Sequence, residues 1–281
     1  MGEALAWPLL SERMRRLGVV SRAVGQLVFR FRDYLGALAL LILLASARPG
    51  DFVVTAPASR LLVAIGLVLL LAGQLTRIAV AGYEVVRRAG VDKRISASRL
   101  LTGGLYAHTR NPLYLANIMI LAGLAGIFRS RWVLLLGLPA VVAVIAAIVA
   151  AEEEFLARKF GDHYAQYRGA VNRFLPRIRG LLATLRHTTF DFRRAIRREY
   201  GTVFAVVSTG LLLVARRRLA LGGLQAAREN VSELAVIWVA CALGWALVRW
   251  LKKTRRLETI PDDLEHTSCD EIGDDAAHRI A

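Results

Sequence analysis

Two short stretches hold most of the residue types capable of chemistry. Residues 103–117 read GGLYAHTRNPLYLAN and residues 150–176 read AAEEEFLARKFGDHYAQYRGAVNRFLP. In the first, Gly103-Gly104 suits a tight turn, Asn111 is a helix N-cap residue type and Pro112 suits the first helical position. Those assignments leave Tyr106, His108, Arg110 and Tyr114 without a reason. Arg110 at a helix N-terminus also opposes the macrodipole unless an anion lies nearby. In the second stretch, Glu152, Glu153 and Glu154 stand where an apolar run ends. Carboxylates there are unfavourable without cationic partners. Glu154 can pair with Arg158 at i+4. Successive helical residues point about 100° apart, so at least one of the three faces the bundle interior and meets a cationic ligand. His108 reads as an exposed loop histidine.

Apolar helices must position these residues. The chain has 281 residues, 56% of them hydrophobic, and its mean hydropathy is +0.45. This is the composition of a membrane protein. The fold class expected is all-α: a polytopic helical membrane protein with about five to six transmembrane or re-entrant helices. The apolar segments are residues 34–47, 60–84, 113–128, 132–151, 203–215 and 231–250. The third and fourth are separated only by Arg129, Ser130 and Arg131 and read as a tight helical hairpin in which Gly123 and Gly126 permit close packing. Residues 34–47 and 203–215 are short for a span.

The net charge of +16 is carried in blocks between apolar runs, which fits flanking charge at a membrane and not a nucleic-acid surface. Arginines and lysines precede the first segment, occupy residues 87–110 and recur over 158–198. The positive-inside rule makes those regions cytoplasmic. Arg216, Arg217 and Arg218 break the pattern, since a simple count places them outside. Residues 180–200 have the spacing of an amphipathic helix on an anionic membrane surface or of a solvated linker helix. Residues 258–281 are acidic and read as a disordered tail. The N-terminus does not read as a cleavable signal. Cys241 and Cys269 form no disulfide framework or zinc spacing, and no metal-ligand motif occurs. Four regions follow: 1–59, a basic segment and first helix; 60–176, the core with the polar stretches; 177–256, a basic amphipathic helix and C-terminal membrane helices; and 257–281, the tail.

A pocket with one rim of glycines, a helix N-terminus, Arg110 and tyrosines, and an opposite rim of carboxylates, suits a ligand bearing a carboxylate, an ammonium, a flat base and a sulfonium. S-adenosylmethionine is such a ligand. The motifs resemble the integral-membrane isoprenylcysteine carboxyl methyltransferase and phospholipid methyltransferase superfamily, whose pattern runs G-x-Y, R-H-P-x-Y-x-G, E-E-x-x-L, F-G-x-x-Y-x-x-Y and R-x-x-P. Here Gly104-Leu105-Tyr106, Arg110 to Tyr114, Glu152-Glu153 with Leu156, Phe160-Gly161 with Tyr164 and Tyr167, and Arg173 to Pro176 match in order. Asn111 stands in place of the usual histidine and Ala116 in place of a common glycine, so an acid-base role at position 111 is not expected.

The resemblance implies an S-adenosylmethionine-dependent enzyme with its site on the cytoplasmic side of the membrane, and the alanine- and arginine-rich composition points to a bacterial inner membrane. It would methylate a lipid or lipid-like acceptor: a phospholipid amine, or a hydrophobic carboxylate or thiol. Gly104, Tyr106, Arg110, Asn111, Pro112, Tyr114, Glu152 and Glu153 would bind the cofactor, with Arg173 and Tyr167 nearer the acceptor as catalytic residues. The expected partners are membrane lipids and the methyl acceptor, with no nucleic acid and no metal. Two other readings stay open: a membrane reductase related to the sterol reductases, which share a similar hairpin motif, and a non-catalytic membrane scaffold.

Overall fold

The structure, a computed structural model, describes residues 55–83, 100–228, 231–254 and 256. The expected first segment 34–47, the basic residues 87–99 and the acidic tail lie outside the described residues. The described chain is all-α: α1 (Ala56–Tyr83), a 3-10 turn (Gly104–Ala107), α2 (Pro112–Phe128), a π-helical turn (Val133–Gly137) running into α3 (Leu138–Ala170), then α4 (Leu181–His187), α5 (Phe192–Arg228) and α6 (Val231–Lys253). Pro57–Tyr83, Val133–Ala170 and Val231–Lys253 are long and apolar enough to cross a membrane, while Pro112–Phe128 is apolar but shorter. Its 17 residues rise only about 25 Å against a hydrocarbon core of about 30 Å. Both ends of α2 therefore lie close to the membrane boundary, where charged residues must find partners.

The most extensive helix contact is between α1 and α2. Small residues allow it. A Cβ added at Gly66 would come 2.8 Å from the Gly123 carbonyl oxygen, and one at Gly73 would come 2.7 Å from that of Ala116. Side chains at these positions would drive the backbones apart, as at other small-residue helix crossings in lipid. Gly123 and Gly126 thus serve α1. They do not tighten the hairpin between α2 and α3, as their position in the sequence suggests; Gly126 also faces Gly66.

Two further expectations change. Residues 180–200 do not form one surface helix: α4 ends at His187, Thr188 is extended, and α5 begins at Phe192. The break is fixed where Asp191 N–H donates to the Gly82 carbonyl at 2.9 Å and Phe190 packs edge-on against Tyr83 at 4.9 Å. Residues 203–215 are not a short isolated segment either. They are the middle of a 37-residue helix kinked at Gly223 (φ 66°), about 55 Å long at 1.5 Å per residue. Polar and arginine-rich turns at both ends hide its length from a hydropathy reading.

α5 packs on α1, α2 and α6. Phe204 lies between Trp238 and Trp245 at 6.0 and 5.5 Å, and Trp238 Nε1 donates to Ser208 Oγ at 3.1 Å. Ile120, Leu124, Ala125, Phe128, Val133 and Leu213 form the buried apolar cluster joining α2, the turn before α3, and α5.

Candidate functional site

At the end of the bundle where α2 begins and the apolar part of α3 ends, the two polar stretches run side by side. Arg110 N–H donates to the Asn172 carbonyl and Arg177 N–H to the His108 carbonyl, both at 2.9 Å. Thr109 Oγ1 donates across the same seam to the carbonyl of Phe174 at 3.1 Å. His108 is buried, 6% exposed, and does not stand in an open loop as expected. Its Nδ1 lies 2.6 Å from the Arg177 carbonyl and must donate to it, while Nε2 lies 2.9 Å from Thr184 Oγ1. With both nitrogens engaged, His108 ties the seam to α4.

Gly161 lets the second stretch return to the first. Its φ of 51° and ψ of −124° lie inside an otherwise helical run, in a region that essentially only glycine adopts. The bend swings residues 162–170 so that Tyr164 and Tyr167 become buried. Their rings meet edge to face at 6.2 Å. Tyr167 Oη donates to the Tyr106 carbonyl at 2.8 Å, which fixes the 3-10 turn that Gly104 starts at φ 57°.

The three glutamates separate by helical angle. Glu154 is solvent-facing and pairs with Arg158 at 3.1 Å. Glu152 accepts a hydrogen bond from Tyr114 Oη at 2.7 Å. Glu153 points inward, 7% exposed. Its Oε2 accepts from Arg173 Nε and Nη2 at 3.0 and 2.5 Å, and its Oε1 lies 3.3 Å from Asn111 Nδ2 and 3.5 Å from Arg110 Nη1. The inward carboxylate thus meets cations of the chain itself. Asn111 occupies the N-cap position of α2 without a cap hydrogen bond; its amide also donates to the Arg173 carbonyl at 3.1 Å. Pro112 follows as the first helical residue.

Arg110, Asn111, Glu153 and Arg173 therefore form one cluster, flanked by the Tyr114–Glu152 pair and by Tyr106 with Tyr167. Within it, Nε and Nη1 of Arg110 are buried and lack hydrogen-bond partners; Nη1 approaches Glu153 only to 3.5 Å, longer than a good hydrogen bond. Buried guanidinium N–H groups left so are costly. They would suit a ligand carboxylate, and the Tyr114–Glu152 pair would suit a ligand cation. The arrangement fits an amino-acid-bearing sulfonium cofactor in donor type and charge.

A second cluster is missed by the motif reading. Arg77, on α1, donates from Nε and Nη2 to Glu199 at 2.8 and 3.0 Å and from Nη1 to Asn117 at 2.6 Å, with Thr202 Oγ1 3.3 Å from Nη2. Asn117 lies one turn beyond Tyr114, so this network binds α1, α2 and α5 beneath the first cluster. The sequence carries the signal: Arg77 is the one charge between Arg60 and Tyr83, and an ionisable residue within an apolar span points to a partner.

Residues 61–163 match the family model for phospholipid methyltransferases, in agreement with the superfamily resemblance of the motifs. The match supports a membrane methyltransferase acting on lipid-like substrates. It includes α2 and the three glutamates and stops one residue before Tyr164. No curated protein and no solved structure matches the chain significantly.

Proposed function

We propose that this protein transfers a methyl group from S-adenosylmethionine to a lipid or lipid-like acceptor at the cytoplasmic face of a membrane. The observation that carries the reading is the buried guanidinium of Arg110, whose Nε and Nη1 have no hydrogen-bond acceptor beyond the 3.5 Å ion pair of Nη1 with Glu153, at the head of α2 inside the segment 61–163 that matches phospholipid methyltransferases. Arg110 would receive the cofactor's carboxylate, helped by the N–H groups of α2's first turn. Glu152, held by Tyr114, would meet its ammonium. Glu153 fixes Arg110, Asn111 and Arg173 in place, and Gly104 and Pro112 set the turn and the helix start. Tyr106 offers a ring for the adenine or the sulfonium.

The bound cofactor supplies an electrophilic methyl group on a cationic sulfur. What the chain contributes is alignment and exclusion of water, since such a displacement needs in-line geometry and consumes charge as it proceeds. Arg173, whose side chain is 41% exposed, would meet an anionic part of the acceptor. The Tyr167 hydroxyl proton is engaged with the Tyr106 carbonyl, so Tyr167 acts as a positioning residue. A carboxylate acceptor needs no base, whereas an amine acceptor must lose a proton at some stage. Arginine in the loops favours the cytoplasmic face for the site end, and the alanine- and arginine-rich composition favours a bacterial inner membrane.

Detergent-purified protein should bind S-adenosylmethionine saturably in equilibrium dialysis, and Arg110→Ala should abolish that binding in protein that remains folded by circular dichroism. Membranes given labelled cofactor should acquire label in lipid or small hydrophobic products. Binding of a reduced nicotinamide cofactor instead would assign the reductase reading. Binding of neither would leave a scaffold.

A further inference from the structure

We infer that the opposite end of the bundle carries a binding site for a phosphate group, supplied by the headgroup of an anionic phospholipid in the far leaflet. At that end α2 stops at Phe128 and the chain turns through Arg129, Ser130 and Arg131. Arg129 has φ 56° and is the one non-glycine residue with positive φ among the described residues. It occupies the left-handed position after a helix, which glycine fills at least cost. A long cationic side chain placed there is 7% exposed, and Ser130 beside it is fully buried.

α5 brings more cations to the same level. Gly210 faces Leu124, and Leu213 packs in the cluster with Phe128, so the two helices run in parallel register toward this end. Arg217 lies one turn beyond Leu213 on the same helical face, level with residues 129–131, and Arg216 and Arg218 flank it. Nε of Arg129, Nε of Arg217, Nη1 of Arg218 and Oγ of Ser130 are all buried without a hydrogen-bond partner among the described residues. Arg131 leans over the Trp132 ring at 5.8 Å. Glu233, at the start of α6, is exposed.

Cationic side chains brought to one level from the end of α2 and from α5, each with a buried nitrogen lacking a hydrogen bond among the described residues, repel one another unless an anion with several acceptor oxygens lies among them. A phosphodiester at the membrane boundary supplies those oxygens and the compensating charge. It also accounts for why Arg216, Arg217 and Arg218 stand on the side where positive charge is otherwise disfavoured. A lipid phosphate is favoured over a free one because both arginine groups sit where apolar runs end, after Phe128 in one case and after Ala215, within α5, in the other, at headgroup depth. The site is separate from the methyl-transfer cluster, which lies at the other end of α2.

The test uses full-length protein in nanodiscs of phosphatidylcholine alone, of phosphatidylcholine with phosphatidylglycerol, and of phosphatidylcholine with inorganic phosphate in the buffer. Phosphatidylglycerol should raise the thermal midpoint by about 5 °C or more through preferential binding to the folded state. Arg129→Gln with Arg217→Gln should lose that increment while keeping the phosphatidylcholine midpoint, since mutual repulsion is relieved. Arg186→Gln with Arg197→Gln, in the basic segment at the other end, should keep it. Inorganic phosphate reproducing the increment would support the site with a soluble ion as its source. An increment equal in wild type and in Arg129→Gln/Arg217→Gln would overturn the inference. Should that pair fail to fold, Arg218→Gln alone must reduce the number of phosphatidylglycerol molecules retained in native mass spectrometry, or the inference falls.

Discussion

Asn111 is the residue at which this chain departs from the superfamily pattern, and its surroundings define what the position must do. Its amide donates both to Glu153 and to the Arg173 carbonyl, so the requirement is a donor beside a buried carboxylate. Asn111→Asp would place a second carboxylate against Glu153 with no added cation. It should lower the thermal midpoint and abolish cofactor binding, whereas Asn111→His, which retains a donor, should bind within about tenfold of wild type, roughly 1.4 kcal/mol. Isothermal titration of the two variants checks the ordering; equal loss in both would show that shape and not hydrogen bonding decides. Tyr114→Phe removes one hydrogen bond to Glu152, and bonds to charged groups contribute about 1.5–3 kcal/mol. Cofactor affinity should fall accordingly with the fold intact. The glutamates were readable in part. Three successive residues had to diverge, and the Glu154–Arg158 pair follows from spacing. Helical angle alone did not reveal that Arg173, twenty residues on, meets Glu153, because the bend at Gly161 appears in the sequence only as a motif glycine.

Between elements, glycine spacing and one buried ion pair hold α1, α2 and α5 together. Gly123→Leu would force α1 and α2 apart against backbone and should cost at least about 3 kcal/mol, seen as lost folded yield in detergent. Gly169→Ala, in a helical turn with open space around it, should be neutral or slightly stabilising. The Arg77–Glu199 network gives a sharper test. Arg77→Met leaves Glu199, 5% exposed, as an uncompensated buried charge and should cost about 3–5 kcal/mol, while Arg77→Met combined with Glu199→Leu should regain most of that loss. Denaturation of the single and double variants measures the coupling. A double variant no more stable than the Arg77 single would mean that the pair is held for another reason. Existence and position of α1, α2 and α6 were legible because a run of apolar residues with flanking charge has few alternatives in a membrane protein. The extent of α5 was not, since hydropathy sees only its apolar middle, and its start depends on the contact of residues 190–191 with Gly82 and Tyr83, far away in sequence.

For the molecule as a whole, the described helices alternate in direction, so the Glu153 cluster and the arginine cluster occupy opposite ends. α1 runs toward the former, α2 away from it and α3 back, and α5 and α6 repeat the alternation. Counting lysine and arginine assigns the first cluster to the cytoplasm, yet the same count is contradicted by Arg216 to Arg218, which is why charge alone could not settle the topology. The antiparallel packing of α1 on α2 makes a firmer expectation: exposed Ala58 and exposed Thr102 must face opposite sides of the membrane. In a background of Cys241→Ala and Cys269→Ser, Thr102→Cys should react with a membrane-impermeant maleimide only in inside-out vesicles, and Ala58→Cys only in right-side-out ones. Labelling of both from the same side would break the helix arrangement. Opposite-sided labelling in the reverse sense would keep the fold but move the Glu153 cluster away from the cytoplasm, where S-adenosylmethionine is supplied, and so remove the basis of the proposed reaction.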